Sequence, residues 1–273
     1  YENTNEYRGL NKVNATTWTS GKTIKSNEVV QTFKFINNNI EIYENAKLIT
    51  TASKQQFYKN EYVTYKNTKG IKLGGTIFIP KNASGKAIVL IHGSGQQDRN
   101  GYASIIRLLA DIFAREGITV LTYDKQGVGH SEGNSEYESF MDLADDAVAG
   151  IDFLKTRKDL NLSKIGLGGS SQAGWIIPLT AEKNKGVKFM VIFSGPVITT
   201  IEQLRFQFYT NGNENFWDTH KESDAREHIK NDPDKYQFVA TNPQEQLRTL
   251  TIPGLWIFGG KDIQVPVALS MEN

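Results

Sequence analysis

Residues 164–175 read KIGLGGSSQAGW, and the fold turns on how this stretch is read. Residues 165–168 form an apolar run of strand type that ends in small residues. A helix is expected to begin near Ala173 and to continue from Trp175 to Lys183. Between the two, Ser171 stands where the chain has to turn sharply from strand into helix. A serine presented at the tip of such a strained turn needs small neighbours. Gly169 lies two residues before it, Ala173 two after, and Gly174 follows, so the pattern is G-x-S-x-A.

Such a turn either offers the serine Oγ as a nucleophile or simply packs a strand against a helix, and the motif alone leaves both readings open. Gly166, Gly168 and Ser171 also fall on the three glycine positions of a G-x-G-x-x-G phosphate loop. The third glycine is missing and the element lies mid-chain, which speaks against a dinucleotide site.

Upstream, Lys86–Ile91 (KAIVLI) is a continuous apolar run, as expected of a strand buried on both faces of a parallel sheet. It ends in His92-Gly93-Ser94-Gly95, whose small residues let the backbone turn with its N–H groups directed into a cleft. Such amides suit an oxyanion. His92, directly at the strand end, is read as a brace for the loop rather than as a base. Residues 103–116 carry Ile105, Ile106, Leu108, Leu109, Ile112 and Phe113 at helical spacing, and Gly117 stops the helix.

The next buried strand, residues 118–123, runs into a glycine-rich loop from Asp124 to Gly133, read as scaffolding beside a cleft. His130 and Glu132 are two metal-ligand types without a third, so no metal site is expected. Ser139 caps a helix whose apolar face is Phe140, Leu143, Ala144, Ala147, Val148, Ile151 and Leu154. Asp145 and Asp146 point in different directions on that helix and read as a solvated face. With a further strand at residues 189–194, strands and helices alternate, which specifies a parallel sheet with right-handed crossovers. Ligands of such sheets gather at the C-terminal strand ends, where residues 93–95, Asp124 and Ser171 all fall.

Between Ile201 and Leu250 the alternation stops. Leu204, Phe206, Phe208, Tyr209, Phe216, Trp217, Tyr236 and Phe238 lie among charged residues, either as an amphipathic helical cap over the cleft or as a surface insertion with its own small core. His220 and His228 lie here, and Asn231-Asp232-Pro233-Asp234 reads as a turn. Residues 254–258 (GLWIF) restore the strand pattern, and Gly259-Gly260-Lys261-Asp262 puts an acid just past its end. Asp262 is the natural candidate to orient a histidine.

At the other end, residues up to Asn27 are polar and read as loop. Ser20-Gly21-Lys22-Thr23 mimics the tail of a phosphate loop without its first glycine. From Val29 onward, β-branched and aromatic runs at 29–36, 40–43, 47–51, 62–66 and 71–79 predict antiparallel strands packed on the edge of the alternating α/β part, with a tight hairpin at Asn37-Asn38-Asn39. Two parts are therefore expected, a polar, β-rich segment over 1–61 and an α/β domain over 62–273.

The balance of 31 Lys and Arg against 30 Asp and Glu leaves a net charge of +1, which gives no electrostatic case for nucleic acid or an anionic membrane. The absence of cysteine excludes disulfides, thiol nucleophiles and Cys-based zinc sites. No apolar run reaches membrane-spanning length. The chain starts at Tyr1 without Met or a signal-like run and reads as a processed or trimmed form. Its composition, without Cys and rich in Asn, Thr and Lys, suits an exported bacterial protein as well as a cytoplasmic one.

Taken together, residues 92–95, 124–133, 169–174 and 259–266 resemble, in the order expected, the α/β-hydrolase superfamily and most of all its bacterial serine esterase and serine-aminopeptidase-like members. The resemblance runs from about Tyr62 to Asn273. It implies an α/β-hydrolase fold, a mostly parallel central sheet flanked by helices with a small helical cap at about 198–250. It further implies Ser171 as nucleophile, Asp262 as triad acid, and the N–H groups of Ser94 and Gln172 as the oxyanion hole. The substrate would be a small carboxylic ester or amide, with no cofactor and no metal. Ser rather than Asp at the elbow argues against dehalogenase-type chemistry.

The histidine of such a triad should follow Asp262, but the eleven residues after it contain none. The expectation is that the C-terminal segment carrying it is missing from this chain. Recruitment of His220 or His228 from the cap is the alternative. A peptidase of the same fold and a catalytically silent binding protein are the other functions to be weighed.

Overall fold

The computed structural model describes residues 10–21, 28–53, 55–134, 139–234 and 241–273. The chain forms two compact units that divide between Gln56 and Phe57.

The first unit is an antiparallel five-stranded sheet in sequence order: β1 (Asn11–Lys12), β2 (Thr17–Ser20), β3 (Gln31–Ile36), β4 (Asn39–Glu44) and β5 (Lys47–Ser53). Asn37, at φ 54°, turns β3 into β4, and Asn45 and Ala46, both with positive φ, turn β4 into β5. This corrects two expectations. The polar stretch before Asn27 contains β1 and β2, because Trp18 pairs across to Phe33 and meets the edge of the Phe35 ring. Strands β3–β5 pair within this sheet and do not join the large one. Lys22 and Thr23 of the phosphate-loop mimic lie outside the described residues, and Ser20 belongs to β2.

The second unit is built on a seven-stranded sheet. It contains β6 (Tyr58–Lys66), β7 (Lys72–Pro80), β8 (Lys86–Ile91), β9 (Thr119–Tyr123), β10 (Lys164–Ser170), β11 (Val187–Phe193) and β12 (Gly254–Ile257), in the spatial order β12-β11-β10-β8-β9-β7-β6. The five strands from β8 onward pair in parallel, and the β6–β7 hairpin adds an antiparallel edge through β9. The connecting helices are α1 (Ile105–Arg115), α2 (Phe140–Thr156) and α3 (Ala173–Lys183).

Strand alternation fills both faces. Ile88, Leu90 and Val120 face Ile106 and Leu109 of α1 on one side, whereas Val89, Ile91, Leu121 and Leu167 face α2 and α3 on the other. Each fully buried side chain of this size contributes roughly 1.5–3 kcal/mol. The glycines of β10 belong to this packing. A Cβ on Gly166 would overlap the Phe189 ring and one on Gly168 would meet Ile88 and Leu90, so both serve close strand contacts and not a phosphate.

Ser139 caps α2 as predicted, in a reciprocal arrangement with Asp142. The solvated reading of the neighbouring acids fails for Asp146, which is wholly buried and accepts from Asn67 Nδ2 at 2.7 Å and Gln126 Nε2 at 3.0 Å. The two carboxylates do point apart, but the glycine-rich loop covers one of them, and Asp145 pairs with Lys183.

The insertion after β11 contains α4 (Thr200–Thr210), α5 (Phe216–Thr219), α6 (Glu222–Asn231) and α7 (Gln244–Leu247), and α8 (Val267–Glu272) follows β12. Phe206, Phe216, Ala225 and Ile229 form a small core of its own. Tyr236 and Phe238 lie outside the described residues.

Candidate active site

β10 ends at Ser170, α3 begins at Ala173, and Ser171 sits between them at φ 56°, in the left-handed region. Its N–H donates to the Phe193 carbonyl at 3.0 Å, and its own carbonyl accepts from Gly174 N–H at 2.8 Å, so the turn is fixed on both sides. The small neighbours are required. A Cβ on Gly169 would stand 2.5 Å from the Ile91 carbonyl and 2.6 Å from Ala173 Cβ, and one on Gly174 would stand 2.8 Å from Pro196 N. A backbone strained in this way and held by its surroundings belongs to functional sites more often than to plain packing turns.

The loop after β8 lies against this turn, with the Gly93 α-carbon facing Ser171 closely enough that a Cβ there would lie 3.6 Å from Ser171 Cβ. Ser94, Gly95, Ser171 and Gln172 line one cavity of about 340 Å³. No hydrogen bond engages the N–H of Ser94 or of Gln172 among the described residues. Phe140 and Trp175, stacked with ring centres 5.6 Å apart, form an apolar wall, and Thr200, Gln203, Leu204 and Gln207 of α4 close the opposite side. The insertion therefore has both a core of its own and a face on this cavity.

His92 is fully buried and braces the loop, with Nε2 3.0 Å from the Asp98 carbonyl. Burial and the nearby Lys125 charge lower its pKa to about 4, which keeps it neutral. Asp124 is likewise structural. It is 1% exposed and accepts from Arg99 and from the His130 N–H. Glu132 faces Lys72, and among the described residues no group of three metal-ligating side chains occurs.

Asp262 stands in the turn after β12. Its Oδ1 accepts from the N–H groups of Gln264 (2.7 Å) and Val265 (3.0 Å), and its carbonyl accepts from Trp217 Nε1 at 2.9 Å. It does not line the Ser171 cavity. The cap histidines are engaged elsewhere. His220 stacks on Phe216 at 4.2 Å with Nδ1 near the Phe216 carbonyl, and His228 stacks on Tyr209 at 4.2 Å with Nε2 3.5 Å from Asp232. The structure thus brings Ser171, Ser94 and Gln172 together and leaves Asp262 without a histidine partner among the described residues.

One member of the site is not evident from sequence. Lys125, which reads as loop scaffolding, is only 4% exposed, and its ammonium donates to the carbonyls of Gly93 (2.7 Å) and Gly95 (2.9 Å) and to Gln172 Oε1 (3.2 Å). The one signal is its place two residues past a buried strand, where a lysine has little access to solvent.

A mostly parallel sheet flanked by helices, a serine on a strained strand-to-helix turn and a facing glycine loop are the marks of an α/β-hydrolase. The chain belongs to this superfamily, matching the serine aminopeptidase S33 family over residues 82–246. The esterase EstD of Thermotoga maritima is 30% identical over 210 residues, which cover 71% of this chain and 50% of EstD. The thiohydrolase aneE of Aspergillus aculeatus is 30% identical over 121 residues, 42% of this chain and 36% of aneE. The chain thus spans about half the length of EstD and about a third of aneE. Among solved structures, the Pyrococcus furiosus esterase Pf2001 superposes with a TM-score of 0.58 at 21% identity, covering 79% of this chain and 76% of Pf2001.

Proposed function

We propose that this chain carries the nucleophile and oxyanion hole of a serine carboxylesterase. The observation that carries this reading is the meeting of Ser171, at φ 56°, with the unengaged N–H groups of Ser94 and Gln172 in one cavity. Ser171 Oγ attacks the ester carbonyl as its proton passes to an imidazole. The tetrahedral oxyanion then accepts from the Ser94 and Gln172 amides, and the alcohol leaves with the proton. Water, deprotonated by the same imidazole, resolves the acyl-enzyme to carboxylic acid and free serine. Losing one such amide donor costs about 2.7–4 kcal/mol of barrier.

The imidazole is the part that the described residues do not present to Ser171. Asp262, just past β12, is the acid that would orient it. The Phe140 and Trp175 wall favours an apolar or aromatic acyl group over a charged one. A panel of aryl esters and aminoacyl anilides tests the reading on the natural full-length protein. Turnover of the esters with Ser171→Ala inactive supports it. Preferential cleavage of the anilides would make the protein a peptidase, and no turnover of either would leave a binding protein.

A further inference from the structure

Lys125 occupies an unusual position for a lysine. It lies two residues past the end of β9, is almost completely buried, and directs its ammonium at three acceptors around the proposed oxyanion hole. An ammonium carries three N–H donors, enough to reach each of these acceptors. The identity of the acceptors matters more than their number. The Gly93 carbonyl belongs to the peptide unit whose other end is the Ser94 N–H. In a trans peptide the two point in opposite directions. Holding the Gly93 oxygen 2.7 Å from Lys125 Nζ therefore turns the Ser94 N–H away from the lysine.

Two further contacts fix the same frame. Lys125 holds the Gly95 carbonyl on the far side of Ser94, and it holds the side chain of Gln172, whose own N–H is the second proposed donor. Gln97 Nε2 donates to the Ser94 carbonyl and completes the loop. A hydrogen bond from a charged donor also polarises the peptide it reaches, strengthening the N–H at its other end. The positive charge itself lies behind the Ser94 amide, on the side from which it favours a developing oxyanion.

We infer that Lys125 is a positioning residue of the oxyanion hole, aligning and polarising the Ser94 amide and anchoring the Gln172 side chain so that transition-state binding, and not substrate binding, depends on it. This rests on the esterase reading above. Ser171→Ala is therefore assayed alongside, and activity surviving in it would mean that the reading itself fails.

The test is Lys125→Met in the full-length protein, with kcat and KM for an aryl ester and Ki for a trifluoromethyl ketone that forms a tetrahedral adduct with serine. The expected result is a fall in kcat on the order of 10–100-fold, less than the ~10²–10³ of deleting one donor outright. Ki should rise in parallel, and KM should stay within about twofold. An unchanged kcat and Ki, with Ser171→Ala inactive, would overturn the inference alone.

If Lys125→Met does not fold, the absence of cysteine from these 273 residues offers a second route. Lys125→Cys is alkylated in denaturant and refolded, with bromoethylamine to restore an ammonium or with iodoacetamide as a neutral control. Recovery of kcat and Ki by aminoethylation only is the result expected. Equal activity of the two adducts would contradict the inference.

Discussion

The Arg99 guanidinium grips the Asp124 carboxylate from two sides, with Nε 2.9 Å from Oδ1 and an Nη on Oδ2, while the Arg99 and His130 amides donate to the same carboxylate. The same arginine reaches the Gly75 carbonyl at 2.7 Å, so the pair ties the loop after β8 to β7 and to the end of β9. Burial works against the charged carboxylate, but Arg99 and the amides outweigh it and hold the Asp124 pKa below its ordinary value. Removing one partner leaves the other charge buried, so Asp124→Ala should lose about 3–5 kcal/mol in urea unfolding. Because the folded pKa is depressed, the contribution is present above the unfolded value of about 3.9 and is lost as pH falls through the folded value. Asp124→Asn should flatten the acid limb of the stability profile. An unchanged limb would show that Asp124 is not ionised in the fold.

His92 should also cost stability as pH falls, but in a higher pH window. Its pKa is lowered to about 4, so the unfolded chain binds a proton that the folded chain refuses. Stability is complete above the unfolded value of about 6.5 and falls as pH drops from there toward 4, by about 3 kcal/mol in total. The His92 ring resonances should not titrate between pH 8 and 5. A midpoint near 6.5 would show that the ring is solvated.

Ser171→Ala and Ser171→Gly separate chemistry from backbone strain. Both should abolish turnover, by about 10⁴-fold or more. At φ 56° only glycine is free of steric cost, so the Gly variant should be more stable than the Ala variant by about 0.5–1 kcal/mol. Equal thermal midpoints would mean that the turn is not held in the left-handed region.

Gly169→Ala tests the crowding under the turn. The added methyl would lie 2.5 Å from the Ile91 carbonyl, so the variant should lose about 1–3 kcal/mol. Pairing it with Ala173→Gly should recover only part, since the Ile91 contact remains. Full recovery in thermal unfolding would place the crowding on Ala173 alone.

The parallel sheet and the elbow are legible in the sequence because their signals are local. KAIVLI is buried on both faces and reads so residue by residue, and Gly169, Ser171, Ala173 and Gly174 declare a crowded turn within six positions. Asp146 reads wrongly as solvated because its partners Asn67 and Gln126 come from distant loops, and helical spacing says which way a side chain points but not what lies there. Lys125 is hidden for the same reason, since two of its acceptors are backbone carbonyls that carry no residue signature. The antiparallel strands of the first unit are predicted, but not that they pair in a sheet of their own, because β-branched alternation predicts strands without naming their neighbours.

Ser171 as the nucleophile is the point on which everything else at the site depends. Reaction of the natural full-length protein with a fluorophosphonate, with the modified peptide then mapped, tests it most directly. A single adduct is predicted on the peptide containing Ser171, absent from Ser171→Ala. An adduct on another serine, or none while ester turnover persists, would contradict the assignment.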